Sequence, residues 1–384
     1  MVSPAFHDTG HAAFMTSAPC HGGRAGNDQY SSLPAGRPEE RTPRMPHAAR
    51  PTVTLHDVAA AAGVSISTAS RVLSGSARKV APEFEARVLA AAAALRYTAD
   101  ASARAMRRAS DSIALVADDL STPSMGMIVA AMEREARTAG AFVTVTSTMG
   151  APERQLETVR QLRALRPRAL VLTSNRFLTN ALEGGLLREL DLYEREGGRV
   201  VIVGETDLNF DSIGVDNRAA GRSAGAFAAK IGHRRAVIFG GERELVNLAD
   251  RRAGFVEGLR AGGVAERDIR IVHCEVSRQG GFDAAQRLAA AGMDGGEMVL
   301  AGNDTIAIGA MSGFRAAGLA VPADVSVTGV DDIPLASDVT PRLTTVALPL
   351  AQAGAEAIRL ALEKSDTVRR LTLEGRLIIR ESAG

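Results

Sequence analysis

Two sets of residues in this 384-residue chain have the types and spacing for chemistry. The first is Ser65-Ile66-Ser67-Thr68 followed by Arg71, small hydroxyls at the start of a helical stretch with one guanidinium a turn further on. Hydroxyls at a helix N-terminus suit phosphate oxygens, and a guanidinium makes two parallel bonds to one guanine edge. The second set consists of polar pairs that close short apolar runs: Asp118/Asp119, Ser174/Asn175, Gly204/Glu205, Asn303/Asp304 and Asp331/Asp332. Carboxylates and amides gathered at one place hold a polyol by paired hydrogen bonds.

The first set needs a helical hairpin to present it. Thr54-Leu55-His56-Asp57 has the spacing of a capping box. Leu55, Val58, Ala59 and Ala62 recur at helical intervals and form a buried stripe. Gly63 suits the left-handed conformation that ends a helix, and Ser65 is a second N-cap. Two short helices on a glycine turn make a helix-turn-helix, whose second helix fits a major groove. Pro82 opens a third helix over 82–96, with Phe84, Val88, Leu89, Ala92 and Leu95 expected to face the first two. The result is a small all-α headpiece over 51–97. Residues 98–110 then read as a linker with helix-forming content, capped by Asp100.

The second set needs strand ends. From 111 onward short apolar runs such as IALVADD (113–119), ALVLTS (169–174), VVIVG (200–204), MVLAGN (298–303) and VSVTGVD (325–331) alternate with helical stretches. LTLEGRLIIRES (371–382) reads as a final pair of strands. Strands alternating with helices predict parallel sheets flanked by helices, and the length of 111–384 predicts two lobes. Ligands in such folds bind beyond the carboxyl ends of the strands, where the polar pairs fall.

Charge divides along the same lines. Residues 51–110 hold eight Lys/Arg against four acids, whereas residues 111–384 hold 32 against 36. A basic head on a mildly acidic body suits a partner that is double-stranded DNA. Residues 1–50 are rich in Gly, Pro, Ser, His and Arg and read as a disordered tail, with 1–44 expected to be dispensable. No signal-peptide core and no run of about 18 apolar residues is found, so the expected location is the cytoplasm, with no membrane partner. Cys20 and Cys274 have no metal or disulfide spacing, and the seven histidines are scattered. No GxGxxG, Walker loop or nucleophile triad stands out, so no enzyme, cofactor or metal is expected.

The chain resembles the lactose/galactose repressor (LacI/GalR) family of bacterial transcription factors over about 52–384. The head does so through TLHDVAAAAGVSISTASRVLSG. The body does so through VDNRAAGR (215–222), RRAGF (251–255), GNDTIAIGAM (302–311), GLAVPADVSVTGVDDIPLA (318–336) and PRLTTV (341–346). The resemblance implies a periplasmic-binding-protein-like body over 111–384, a homodimer or dimer of dimers, and a repressor on a near-palindromic operator. It matches Ile66, Ser67 and Arg71 to base-reading positions and Thr54, Ser65, Thr68 and Ser74 to positions that hold phosphates. It makes 98–110 a hinge helix for the minor groove, with Ser102 and Arg104 beside Met106 at the wedge position, where the family has leucine. The family's proline at the hinge entry is replaced by Ala99. It implies a sugar-like small-molecule effector held by Arg252, Asn303 and Asp331, with Asp119 at the end of the first strand. After Asp119 the usual aromatic pair is missing; the segment reads Leu120-Ser121-Thr122-Pro123-Ser124-Met125. The runner-up is a transport-associated sugar-binding protein, against which the basic head and the missing signal peptide count.

Overall fold

The computed structural model describes residues 53–73, 80–95, 97, 111–149, 151, 153–173, 180–240, 245–293 and 296–384. The expectations for the 1–50 tail and the 98–110 hinge, with Ser74, Ser102, Arg104 and Met106, lie outside them.

The headpiece consists of α1 (Leu55–Ala62), α2 (Ile66–Leu73) and α3 (Pro82–Ala94). Gly63 takes φ +62°, and Val64 N–H returns to Ala59 O at 3.0 Å, closing α1 as the glycine predicted. Val58, Ala59, Ala62, Ala69 and Val88 form the small buried centre. Arg87 of α3 donates to Gly63 O at 3.3 Å and lies 5.7 Å over the Phe84 ring. Phe84 and Leu89, expected to face inward, are exposed instead. Val88 is fully buried and Ala92 and Leu95 are half-buried, so the inward stripe of α3 runs through these three and leaves Phe84 and Leu89 to its flanks.

The body begins with β1 (Ser112–Ala117), α4 (Pro123–Thr138), β2 (Phe142–Ser147), α5 (Glu153–Ala164), β3 (Ala169–Thr173), α6 (Asn180–Arg195), β4 (Val200–Val203) and β5 (Asp211–Val215). It continues with α7 (Asn217–Lys230), β6 (Ala236–Phe239), α8 (Val246–Ala261), β7 (Ile269–Val272), α9 (Arg278–Ala290), β8 (Glu297–Ala301), α10 (Asp304–Ala316) and β9 (Val325–Asp331). It closes with β10 (Thr344–Ala347), α11 (Leu350–Leu362), β11 (Arg370–Leu373) and β12 (Arg376–Ile378). One six-stranded sheet has the order β11-β5-β4-β3-β1-β2, the other β12-β10-β9-β8-β6-β7. Strands β3, β4, β6 and β9 are buried along their whole length, as parallel strands covered on both faces must be.

The final two strands go to different sheets: β11 runs parallel to β5 in the first, as expected, and β12 departs from the expected parallel sheets by running antiparallel to β10 in the second. The chain thereby passes between the lobes three times, at Val215–Asn217, Ala347–Leu350 and Leu373–Arg376. The start of β11 is held to the start of β5 by Arg369, which donates to both oxygens of the buried Asp211 at 2.8 Å, while Arg199 adds a bond at 3.1 Å.

Helices α7 and α8 meet along glycines. A methyl added at Gly221 would lie 2.1 Å from Arg251 O, and one at Gly254 would lie 2.1 Å from Arg218 O. The two backbones are therefore in contact, which only a residue without Cβ permits at these positions.

Candidate functional site

Strand ends position most of the polar side chains, and the two lobes face each other across them. A cavity of about 330 Å³ lies between the lobes. One wall comes from the end of β1 and the start of α4, with Asp118, Asp119, Ser121, Thr122 and Ser124. The other comes from the second lobe, with Asn247, Arg251, Glu275, Ser277, Asn303 and Asp331. Met125, Ile128, Leu245, Leu248 and Leu348 supply aliphatic surface, and no aromatic side chain lines it among the described residues.

The floor is an ion pair. Arg251 Nη1 lies 3.0 Å from Asp331 Oδ1, a contact by distance whose angle falls short of a hydrogen bond. Arg251 also donates to Asn217 Oδ1 and to Gly302 O, each at 2.8 Å. Asp331 ends β9 at φ +123°, a strained backbone that aims its carboxylate off the strand. Burial pushes that carboxyl up, against the pull of Arg251 and of the Ser124 hydroxyl from the opposite lobe. Asn303 caps α10 by accepting from Ile306 N–H at 2.9 Å and still lines the cavity. Asp119 sits at the rim, with its two oxygens accepting from Ser121 N–H at 2.8 Å and Ser121 Oγ at 2.7 Å.

Behind the floor lies Asp304, fully buried. It accepts from Ile333 N–H at 2.9 Å and from Thr345 Oγ1 at 2.5 Å. Burial, then repulsion from Asp331, pushes its carboxyl up to about 7. Asp304 thus ties β10 and the turn that follows β9 to α10 without reaching the cavity.

Of the four residues expected at the effector, Asp119, Asn303 and Asp331 line this cavity and Arg252 does not. The arginine in the cavity is its neighbour Arg251. Successive helical residues point about 100° apart, and Arg251 shares the buried stripe of Leu248, Phe255 and Leu259. Arg252 lies off that stripe, its Cδ against Gly240. The signal was present in the sequence: of two adjacent arginines, the one in phase with the apolar residues faces inward. Asn217, Glu275 and Ser277 were not anticipated, because nothing local distinguishes them from ordinary helix starts and loops. Among the described residues, no group of His, Cys, Asp and Glu is placed to hold a metal ion.

In the headpiece, Ser65 Oγ accepts from Thr68 N–H at 3.1 Å and bonds the Ser67 and Thr68 hydroxyls at 2.8 and 2.9 Å. Ser65 caps α2 as expected. Ala69 faces the interior, and Ile66, Ser67 and Arg71 are exposed, Ile66 to 50%. Thr54 directly precedes α1.

Comparison with known proteins gives this arrangement its family. The family model described as "Bacterial regulatory proteins, lacI family" matches residues 54–100, and that of the periplasmic binding protein-like domain matches 226–383. The transcriptional regulator GalS of Salmonella typhimurium is 31% identical over 314 residues, covering 81% of this chain and 89% of GalS. This chain belongs to the lacI family. GalR of Escherichia coli is 29% identical over 316 residues, covering 82% of this chain and 89% of GalR. Among solved structures, the Lac repressor bound to ONPG in its repressed state superposes with a TM-score of 0.75 at 25% identity, covering 86% of this chain and 100% of that one. The CelR–cellobiose complex gives 0.62 at 27% identity, over 87% and 100%. This lacI-family chain is accordingly a DNA-binding transcriptional regulator and not an enzyme. No helix among the described residues is long and apolar enough to cross a membrane.

Proposed function

We propose that this lacI-family regulator is a cytoplasmic repressor. It binds a near-palindromic operator as a homodimer and is switched by a small hydroxylated effector in the interlobe cavity. The observation that carries the reading is the cavity itself: a guanidinium, an amide and a carboxylate (Arg251, Asn303, Asp331) gathered in a body that also bears a helix-turn-helix. At about 330 Å³ the cavity is at the small end of ligand sites. Similarity to a structure whose ligand is cellobiose supports a sugar-like effector class.

On the DNA side, Ile66, Ser67 and Arg71 read bases, and Thr54, Ser65, Thr68 and Ser74 hold phosphates. Residues 98–110 form the hinge, with Ser102, Arg104 and Met106 at the minor groove. Ligand closure of the lobes shifts the two hinges of the dimer, and by linkage DNA biases ligand affinity in return. A gel shift of the full chain on its own upstream region, at two salt concentrations and with a panel of sugars, tests the reading. Retarded DNA released by one sugar is expected. Failure to bind any near-palindromic site, or binding that no ligand alters, overturns it.

A further inference from the structure

Resting on the reading of α2 as the recognition helix, we infer that Arg87 is a positioning residue for operator recognition. It braces the turn between α1 and α2 and so fixes the angle at which α2 presents Ile66, Ser67 and Arg71. The turn is three residues long, Gly63 to Ser65. α1 ends without a basic residue in its last turn. Gly63 N–H and Val64 N–H return to Ala60 O and Ala59 O at 3.1 and 3.0 Å. The Gly63 carbonyl is then taken by Arg87 Nη2 at 3.3 Å, a donor from α3 that lies 24 residues further along the chain. The guanidinium thereby brings to the negative end of α1 the positive charge that the helix itself lacks. It also lies against the glycine, since a methyl added at Gly63 would collide with Nη2.

Phe84, three residues before Arg87 on α3, sets its ring 5.7 Å from the guanidinium carbon. The ring is exposed and adds nothing to the buried centre of the head. Its use is as a platform that limits where the guanidinium goes. Such a brace matters because α2 buries one residue fully, Ala69. A small rotation about so slight an anchor moves the Arg71 guanidinium off a guanine edge, while attraction to the phosphates survives it. The rival role for an exposed arginine on a DNA-binding head is a direct phosphate contact. A phosphate contact contributes on every sequence alike, and a brace contributes where bases are read.

The test uses the full chain, a duplex carrying the site retarded from its own upstream region, and a scrambled duplex of the same length. Affinity for each is titrated over a series of salt concentrations. Arg87→Met keeps an unbranched side chain and loses the donor and the charge. It should weaken specific binding about tenfold more than binding to the scrambled duplex, with the salt slope of specific binding unchanged. Arg87→Lys, which keeps the charge and a donor, should recover most of the lost ratio. Phe84→Leu should lower the ratio in the parent chain and leave it unaltered in Arg87→Met, because the ring acts through the guanidinium. A partly unfolded head would lower both affinities alike and leave their ratio where it was. Equal losses on the two duplexes, or a salt slope reduced by about one, would make Arg87 a structural residue or a phosphate contact and overturn the inference. So would an Arg87→Met protein that discriminates as well as its parent. Arg71→Ala is the control for the underlying reading. If its ratio is also unchanged, or no upstream site is retarded, α2 is not the base reader and the inference falls with that reading.

Discussion

Arg251 and Asp331 meet 3.0 Å apart at the floor of the interlobe cavity, both almost wholly out of solvent. Two charges removed from water together compensate each other, and deleting one strands its partner. The arginine has further acceptors in Asn217 and Gly302, whereas Asp331 relies on Arg251 for its counter-charge.

Arg251→Ala should therefore cost about 3–5 kcal/mol of stability, the usual result of breaking a buried pair. Arg252→Ala, one residue along the same helix and half-buried, should cost about 1 kcal/mol or less. Urea denaturation of the two variants ranks them. The reverse order would place the essential arginine at 252.

Arg71→Ala should weaken operator binding by about 1–3 kcal/mol and relax discrimination at the base pair it reads. Ser67→Ala should do less, since a single hydroxyl makes one bond where the guanidinium makes two. Gel shifts against single-base operator variants separate the cases. An equal loss on every sequence would make Arg71 a phosphate contact.

Stability should rise as pH falls from about 8 to 5. An unfolded aspartate titrates near 4, whereas folded Asp304 keeps its proton up to about 7. Between those values the native state binds more protons than the unfolded state, so lowering the pH stabilises it. The raised carboxyl of Asp331 acts in the same direction. Asp304→Asn should flatten the profile of urea midpoints measured at pH 8, 6.5 and 5. An unchanged slope in that variant would show that Asp304 is ionised throughout.

Gly254→Ala should destabilise the body by about 1–3 kcal/mol, because the added methyl meets Arg218 O at 2.1 Å and forces α7 and α8 apart. Arg251 rides on α8, so ligand affinity should fall in the same variant without any change to a cavity side chain. Unaltered ligand titrations in a destabilised Gly254→Ala protein would uncouple the glycine seam from the site.

Strand and helix existence was legible because parallel strands buried on both faces read as continuous apolar runs, and helices between them keep their own period. The run at 325–331 is strand β9 residue for residue. Pairing was not legible. β11 and β12 lie on neighbouring stretches of sequence and look alike, and only tertiary packing sends them to different sheets. At the cavity, Asp119, Asn303 and Asp331 are legible as lining residues because they close apolar runs. Arg251 rather than Arg252 lines the cavity, and only the helical phase of the neighbouring apolar residues tells these two adjacent arginines apart. Phe84 and Leu89 are apolar yet exposed. Apolar character marks a residue as able to be buried, but the width of the contact decides how many are.

The three passages of the chain between the same two lobes limit more than the distance separating them. A body tied across one gap at three points cannot swivel freely, since each tie removes rotations that the other two would allow. One easy angle remains, the opening and closing of the gap. Chemically different ligands can then turn that angle by different amounts but not in different directions. Whatever enters the cavity is translated into a single scalar before it reaches the rest of the molecule. A regulator made this way reports how much its ligands have closed it, and the identity of the ligand is lost at that first step.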